Sequence, residues 1–210
     1  MTSPTPTPVA PIIPRSIRAD ARRNREAVLE AARGLFAEKG FDTQMDEIAR
    51  KAKVGVGTVY RHFPTKEDLL DALIAKRFEV LAARAHEAVE EAKRDDPWEA
   101  FRGFIEFGGE LQAADRALSE AMSSRSERMA CAAEDSGLVE QAEILIKLAK
   151  RGGGLRKDLE VEDIPALTCS IGSVALAADQ KPRMRWERLV AIWLDGARAT
   201  GCKRLPPIPD

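Results

Sequence analysis

The placement of proline constrains the fold of this chain more than any other feature. Five of the twelve prolines lie in residues 1–14 and three in residues 206–209. Only four lie between these clusters, at Pro64, Pro97, Pro165 and Pro182. Proline interrupts helix interiors, whereas alanine, which occurs 33 times, has the highest helix propensity. The chain has no alternating runs of β-branched residues, so it is predicted to be all-α, with the internal prolines at helix boundaries.

Apolar periodicity and capping signals divide the chain into helices. Nine are predicted, at about residues 19–39, 45–52, 56–63, 66–94, 98–111, 113–123, 127–150, 163–178 and 183–200. Thr65-Lys66-Glu67-Asp68 has the pattern of a capping box for the fourth helix. The glycines of Arg151-Gly152-Gly153-Gly154 are interpreted as a helix stop and a turn. Residues 1–14 are expected to form a disordered, proline-rich arm.

Composition and cysteine usage limit where such a protein can act. With 44% hydrophobic and 32% charged residues, the chain can bury a core and remain soluble. The longest stretch without charge, residues 164–178, is shorter than the roughly 20 apolar residues that span a membrane. The first fourteen residues lack the basic and apolar order of a signal peptide. Three scattered cysteines, Cys131, Cys169 and Cys202, indicate reduced thiols, so a cytoplasmic protein with no membrane partner is expected.

Charge is distributed unevenly along the chain, although the net charge is only −1. Residues 15–66 hold 12 lysines and arginines against 7 acidic residues, and the rest of the chain holds 21 against 27. A basic module on an acidic body is typical of proteins in which one part contacts phosphates. The alternative is a solvated charged face on the first helix. The arginines in question are Arg15, Arg18, Arg22, Arg23 and Arg25.

The second and third predicted helices are short and are separated by only Lys53-Val54-Gly55. Two short helices with a turn of this length form a helix-turn-helix, whose second helix enters the major groove of DNA. Apolar residues would pack both helices against the first one; these are Ile48, Ala49, Val54, Val59 and Phe63. The outer surface of the second helix would then carry hydrogen-bonding side chains suited to phosphates and base edges. They are Thr58, Tyr60, Arg61 and His62.

Residues 27–73 resemble the DNA-binding domain of the TetR family of transcriptional repressors. The residues that carry the resemblance are Ala31-Ala32, Leu35-Phe36, Gly40-Phe41, Met45, Ile48-Ala49, Ala52, Val54, Gly57-Thr58-Val59-Tyr60-Arg61-His62-Phe63, Lys66 and Leu69-Leu70. Two positions depart from the family pattern: Lys53 stands where glycine is frequent, and Gly55 stands where a serine often caps the recognition helix. Glycine is itself an acceptable N-cap. The departure at Gly55 therefore concerns a phosphate contact rather than the fold.

The resemblance implies which residues contact DNA. Gly57 would let the backbone approach, Thr58 and Tyr60 would bind phosphate or base edges, and Lys66 would pair with a phosphate. Base reading is assigned mainly to Val56, Thr58, Arg61 and His62, with Thr43 and Gln44 as further phosphate contacts. For His62 the alternative is a histidine packed beside Phe63.

The resemblance also implies a C-terminal body that binds an effector and forms a homodimer. In the family the last two helices pair with those of a second copy, and here they carry strongly apolar faces. The expected dimer contacts are Ile171, Val174, Ala178, Leu189 and Trp193. An effector cavity, mostly apolar, would be lined by Trp98, Phe101, Phe104, Phe107, Met122 and Met129. Both sets of residues could instead belong to the intrachain core.

Residue types needed for catalysis or metal binding are scarce. His62 and His86 lack Cys or His partners at metal-ligand spacing, and the glycine-rich segment does not match a phosphate-binding loop. Tyr60 is the only tyrosine and lies in the predicted DNA-contact helix, which excludes a recombinase with a tyrosine nucleophile. No enzyme activity and no cofactor are expected.

Three functional hypotheses follow. The leading one is a homodimeric repressor of a palindromic double-stranded DNA operator, released by a small hydrophobic effector. The second is a constitutive DNA-binding regulator whose body docks a protein partner, and a DNA-processing enzyme ranks last. The predicted domains are the arm at 1–14, the helix-turn-helix domain at 15–66, the effector-binding and dimerisation domain at 67–205, and a tail at 206–210.

Overall fold

The computed structural model describes residues 15–115, 118–119, 125–177, 185–200 and 203–206. Across these residues the secondary structure is helical, apart from one isolated bridge between Leu155 and Arg198. Nine α-helices are present in these ranges: α1 Arg15–Lys39, α2 Met45–Ala52, α3 Val56–His62, α4 Lys66–Arg94, α5 Pro97–Ala114, α6 Ser126–Asp135, α7 Leu138–Arg151, α8 Asp163–Ala177 and α9 Trp186–Ala197. A short 3-10 helix, Gly40–Asp42, follows α1. The prediction of an all-α chain is confirmed.

Side-chain caps define the starts of helices α4 and α5. The Thr65 hydroxyl accepts a hydrogen bond from the Asp68 amide at 3.1 Å, and the Asp68 carboxylate accepts one from the Thr65 amide at 2.9 Å. This reciprocal pair is the predicted capping box of α4. At α5 the Asp96 carboxylate accepts from the Trp98 amide at 2.8 Å, and Pro97 occupies the first turn, where no amide donor is needed.

Several helix boundaries differ from the predictions. The single helix predicted over residues 127–150 is two helices, α6 and α7, because Gly137 adopts a left-handed conformation with φ +76°. Helix α1 begins earlier than predicted, at Arg15. Helix α5 continues to Ala114 and so includes the start of the helix predicted at 113–123, most of which lies outside the described residues. Helix α9 is shorter than predicted, and residues 183–184 also lie outside the described residues.

The buried apolar residues form two clusters. The first joins α1, α2, α3 and the N-terminal half of α4, with Val28, Ile48, Val59 and Leu69 fully buried. The second joins the C-terminal half of α4 with α5, α7, α8 and α9. Helix α4 contributes to both clusters, so the helix-turn-helix segment is connected to the C-terminal body through one continuous helix.

The segment that follows α7 pairs with the residues at the end of α9. The glycine turn is confirmed: Gly152 caps α7, and Gly153 has φ +77°. A Cβ at Gly154 would lie 2.5 Å from the Cβ of Trp98, so this position needs glycine because of close packing. Backbone hydrogen bonds then pair the segment with the residues after α9, from the Arg156 amide to the Ala197 carbonyl at 3.0 Å and from the Ala199 amide to the Gly154 carbonyl at 3.1 Å.

Candidate nucleic-acid interface

The turn between α2 and α3 depends on one residue with an unusual backbone. Lys53 caps α2 in the left-handed conformation, with φ 58° and ψ 38°. Its amide, and that of Val54, bond back to carbonyls of the last turn of α2. Glycine adopts this conformation without steric cost. A glycine at this position would therefore suit the turn, whereas the backbone of Lys53 is strained there.

The inward faces of α2 and α3 pack as predicted. Ile48, Ala49, Val59 and Phe63 are all buried, and the half-buried Val54 packs against the same cluster. Two exposed ion pairs also link α2 to the end of α1, from Lys39 to Glu47 at 3.0 Å and from Lys51 to Glu38 at 2.9 Å. The Lys39 ammonium lowers the pKa of the Glu47 carboxyl. The orientation of α3 is therefore fixed mainly by apolar contacts on one side.

The opposite side of α3 faces solvent. Val56 is 44% exposed and Tyr60 47% exposed, which is unusual for large apolar or aromatic side chains. Gly57 and Arg61 are exposed, and a Cβ at Gly57 would have no atom within 4 Å. Thr58 is half-buried at the edge of this surface. These five residues present apolar groups, hydroxyls, a guanidinium and open backbone on one helix face, which we call the α3 outer face.

His62 combines features of the two alternatives considered for it, which are contact with DNA bases and packing beside Phe63. Its ring is half-buried and tilted against the Phe63 ring, with 6.2 Å between centroids. One side of the His62 ring thus packs against Phe63, while the residue as a whole remains partly exposed to solvent.

The remaining predicted DNA contacts flank α3. Thr43 is buried, and its hydroxyl donates to the Gly40 carbonyl at 3.0 Å, so its side chain is directed inward. Gln44 is exposed at the N-cap of α2, and its amide nitrogen donates to the Asp42 carbonyl at 2.9 Å. Lys66 is half-buried in the first turn of α4, and its ammonium lies 6.0 Å from the centroid of the Phe36 ring.

The α1 helix places one of the arginines considered for phosphate contact, Arg25, beside α3. The Arg25 guanidinium lies 5.4 Å from the centroid of the Phe63 ring, at the C-cap of α3. Arg22 and Arg23 are exposed and pair with Glu26 and Asp20 on the same helix. The contact of Arg25 joins residues 38 positions apart, so no local pattern could have indicated it.

The described members of the predicted effector set fall into different parts of the core. Trp98, Phe101 and Phe104 are buried in the second cluster, where their rings pack within the core. Met129 packs against the first cluster, and Met122 lies outside the described residues. Phe107 lines a cleft on the C-terminal body.

That cleft has a volume of about 510 Å³ and lies between α4, α5 and α9. Its lining includes Trp186 and Val190 from α9 and three carboxylates, Glu106, Glu110 and Glu187. Arg84 lines it too but is engaged by Glu91, with nitrogen to oxygen distances of 3.1 and 3.2 Å. The lining of this cleft therefore combines apolar and aromatic groups with charged side chains of α4, α5 and α9.

The predicted dimer residues lie on α8 and α9 or beyond. Ile171 is fully buried within the chain, whereas Leu189 and Trp193 are half-buried at the edge of the second cluster. The α9 residue Ile192 is 53% exposed. Val174 belongs to α8, but its side chain lies outside the described residues, as does Ala178 as a whole.

Comparisons with known proteins identify the family. The family model for bacterial regulatory proteins of the tetR family matches residues 28–73, and a model for the C-terminal domain of SbtR-like transcriptional regulators matches residues 96–199. A TetR transcription regulatory protein from Mycobacterium vanbaalenii, known from its crystal structure, is 36% identical, with 87% of this chain and 99% of that chain covered and a TM-score of 0.62. The chain belongs to the TetR family.

Other relatives of this TetR-family chain differ in how much they share with it. A helix-turn-helix transcriptional regulator from Staphylococcus aureus is 38% identical over 65 residues, which are 30% of this chain. The match spans only 35% of the length of that curated relative. The regulator FadR from Bacillus subtilis shares the fold at 21% identity, with 81% of this chain and 95% of that chain covered and a TM-score of 0.63.

Membership of the TetR family establishes a transcriptional regulator with a helix-turn-helix DNA-binding domain. The relatives identified are transcriptional regulators rather than enzymes. Within the described ranges, no three His, Cys, Asp or Glu side chains are grouped as a metal site. The helices in these ranges also include none that is long and apolar enough to cross a membrane.

Proposed function

We propose that this TetR-family regulator is a homodimeric, cytoplasmic repressor that binds a near-palindromic operator through α3 and dissociates from it when a small, mostly hydrophobic effector binds. The observation that carries the DNA-binding part of the proposal is the α3 outer face. It is exposed although it contains Val56 and Tyr60, and no part of the chain that the structure describes covers it. An exposed helix of this composition beside basic residues suits the major groove.

Within this proposal, the residues of the α3 outer face have distinct roles. Gly57 admits a phosphate close to the backbone, and the hydroxyls of Thr58 and Tyr60 donate to phosphates or base edges. Arg61 and His62 read bases with Val56. Gln44 and Lys66 bind flanking phosphates, and Thr43 contributes through its backbone, because its hydroxyl is already used within the chain. Arg25, held over Phe63, adds a cation at the end of α3.

The dimer is proposed to form through α8 and α9. Ile192 is exposed on α9, and Leu189 and Trp193 are only half-buried within one chain, so this helix has apolar surface left for a second copy. A two-fold dimer would place two α3 helices roughly 34–36 Å apart, one turn of the DNA helix. The operator should therefore contain two half-sites at about that separation.

Release by an effector requires a connection between the C-terminal body and α3. Helix α4 belongs to both apolar clusters, and α6 contacts its N-terminal half through an ion pair of Arg128 with Asp71. An effector weakens DNA binding only if it prefers a conformation in which the two α3 helices no longer match the operator. The Bacillus subtilis FadR was crystallised with stearoyl-CoA, so a protein with this fold accommodates a small-molecule ligand.

The DNA-binding assignment is tested with the double variant Tyr60→Phe with Lys66→Ala. Binding to DNA of any sequence should weaken, and the slope of log affinity against log salt should fall by about one unit, because one phosphate contact by a cation is lost. The matched control is Lys76→Ala, which removes a surface lysine of α4 that pairs with Glu79 at 3.1 Å. Unchanged operator affinity in the double variant would reject the assignment.

The second candidate is a constitutive regulator whose C-terminal body docks a protein partner. One observation favours it: Trp98, Phe101 and Phe104 fill a core instead of lining a cavity. Under this alternative, operator affinity in purified form would not respond to any small molecule, while a protein partner would bind without displacing DNA.

A further inference from the structure

Arg77 is a buried cation in the middle of α4 whose hydrogen-bond partners are neutral. The residue is only 6% exposed. Its guanidinium donates to the Gln112 side-chain oxygen at 2.7 Å and to the Ser119 hydroxyl at 3.5 Å. Within the described residues, no carboxylate forms an ion pair with it. Burial lowers the pKa of Arg77 to about 10, although the charge of Asp115 acts in the opposite direction.

A second buried arginine shows what a structurally compensated guanidinium looks like in this protein. Arg156 is 7% exposed, yet it donates to both oxygens of the Asp158 carboxylate at 2.7 and 3.1 Å and to the Gly196 carbonyl at 3.0 Å. Two arginines of nearly equal burial thus have opposite environments. Burying a charge without a partner of opposite sign is unfavourable. Among the described residues, Arg77 lacks the ion pair that offsets this cost at Arg156.

The surroundings of Arg77 offer more than one polar group. Ser119 is itself 4% exposed and fixed in place, since its hydroxyl lies 2.9 Å from the Gln112 carbonyl and 2.8 Å from the Asp115 carbonyl. Gln112 presents its oxygen to Arg77, which leaves its amide nitrogen as a further donor. A guanidinium beside an amide donor is chemistry suited to a carboxylate or a phosphate.

Arg77 lies at the boundary between the two apolar clusters. It precedes Phe78, the last α4 residue buried in the first apolar cluster, and Leu118 of that cluster adjoins Ser119. The second cluster begins on α4 at Ala85. Arg77 thus lies where the two apolar clusters meet along the helix that connects them. The cleft between α4, α5 and α9 is a different environment, because three carboxylates, of Glu106, Glu110 and Glu187, line it together with Arg84.

We propose that Arg77 binds the anionic group, a carboxylate or a phosphate, of a small molecule, with Gln112 as a second donor. This rests on the proposed effector response and specifies the chemistry of the effector: an acid or phosphate ester whose remaining part is apolar. A bound anion would supply a full counter-charge to Arg77. Binding would then stabilise the conformation of α4 in which the site is formed.

The first test separates a ligand-binding arginine from a structural one without any ligand. Thermal unfolding is measured for the full chain, for Arg77→Met and for the matched control Arg156→Met. Arg77→Met should leave Tm unchanged or raise it by up to about 4 °C, because a buried charge that forms no ion pair among the described residues is replaced by an apolar side chain. Arg156→Met should lower Tm, because it breaks the pair with Asp158. A large loss of Tm in Arg77→Met would overturn the proposal.

The second test uses defined anions at constant ionic strength. Acetate, benzoate, decanoate, palmitate and inorganic phosphate are compared with the uncharged benzyl alcohol and 1-decanol, and Tm is measured at increasing concentration. At least one anion should raise the Tm of the wild type more than its uncharged analogue, and this excess should disappear in Arg77→Met. Arg77→Lys, which keeps the charge but loses the planar donor pair, should retain part of it.

Two results would contradict the proposal in this second test. One is that no anion stabilises the wild type more than its uncharged analogue; the other is that Arg77→Met responds as strongly as the wild type. Arg156→Met should respond like the wild type, which controls for general loss of stability. Operator binding is measured separately without ligand. Failure of the anion site with intact operator binding is therefore distinguishable from failure of the DNA-binding assignment.

Discussion

At the scale of single residues, Lys53 strains the backbone, because a residue with a side chain adopts the left-handed conformation there. A side chain in this conformation costs roughly 1–2 kcal/mol, and the greater freedom of glycine in the unfolded chain offsets part of the relief. We expect Lys53→Gly to raise the free energy of unfolding by about 1 kcal/mol, measured by urea denaturation. Lys53→Ala removes the same charge but keeps the strain, so it should not stabilise; equal stabilisation by both substitutions would disprove strain as the cause.

A second residue-scale prediction concerns acid stability. The Arg156 guanidinium, followed by the Leu205 amide at 2.7 Å, holds the pKa of the Asp158 carboxyl well below its ordinary value of 3.8. A depressed pKa stabilises the folded state above the unfolded pKa, and this contribution is lost progressively as the pH falls from the unfolded pKa through the lower folded one. Asp158→Asn should therefore destabilise the protein at neutral pH, and the difference from wild type should shrink in urea titrations near pH 3. A difference that is independent of pH would contradict this account.

At the scale of elements, α3 contains a position, Gly57, where a substitution should weaken DNA binding without lowering the stability of the fold. A Cβ at Gly57 would meet no atom within 4 Å. Alanine is the better helix former by about 0.5–1 kcal/mol, so Gly57→Ala should maintain or raise Tm. The same methyl group would stand between the α3 backbone and DNA and should weaken operator binding roughly tenfold, about 1.4 kcal/mol.

Gly108 in α5 provides the matched control for this substitution. A Cβ there would likewise meet open space, but the residue lies in the C-terminal body. Gly108→Ala should leave operator affinity unchanged while its effect on Tm resembles that of Gly57→Ala. If Gly57→Ala binds the operator as tightly as wild type, the α3 backbone does not approach DNA at this point.

The elements also show how far the sequence could predict the structure. The inward faces of α2 and α3 were predictable because residues such as Ile48 and Val59 recur at helical spacing and are buried. The break at Gly137 was not, because a single glycine in an alanine-rich stretch is compatible with either one helix or two. Trp98 and Phe101 could not be assigned to core or cavity from their spacing, since both uses give the same apolar stripe.

The unusual position of Arg77 is visible in the sequence, but the sequence alone does not show which groups this arginine contacts. It lies four residues after Leu73 and four before Leu81, on the apolar side of α4, where a cation is unexpected. Whether such an arginine is paired, as Arg156 is, depends on residues 35 to 42 positions away. Only the folded chain shows that its hydrogen-bond partners there are neutral.

At the scale of the whole molecule, the proposed operator recognition depends on the division of charge along the chain and on the two-fold symmetry of the dimer. The basic residues 15–66 carry the helix-turn-helix, and the acidic remainder forms the body that would pair two copies. Two copies of one α3 related by a two-fold axis require a DNA site with the same symmetry. A single copy would need only one half-site.

The most direct test of this central claim is selection of bound DNA from a random duplex pool with the full-length protein, followed by sequencing. The account predicts an enriched near-palindrome with half-sites centred roughly 34–36 Å apart. It also predicts that the Gly57→Ala protein enriches this site less strongly than the Gly108→Ala protein. Enrichment of an isolated, asymmetric half-site, or of no sequence at all, would contradict the account.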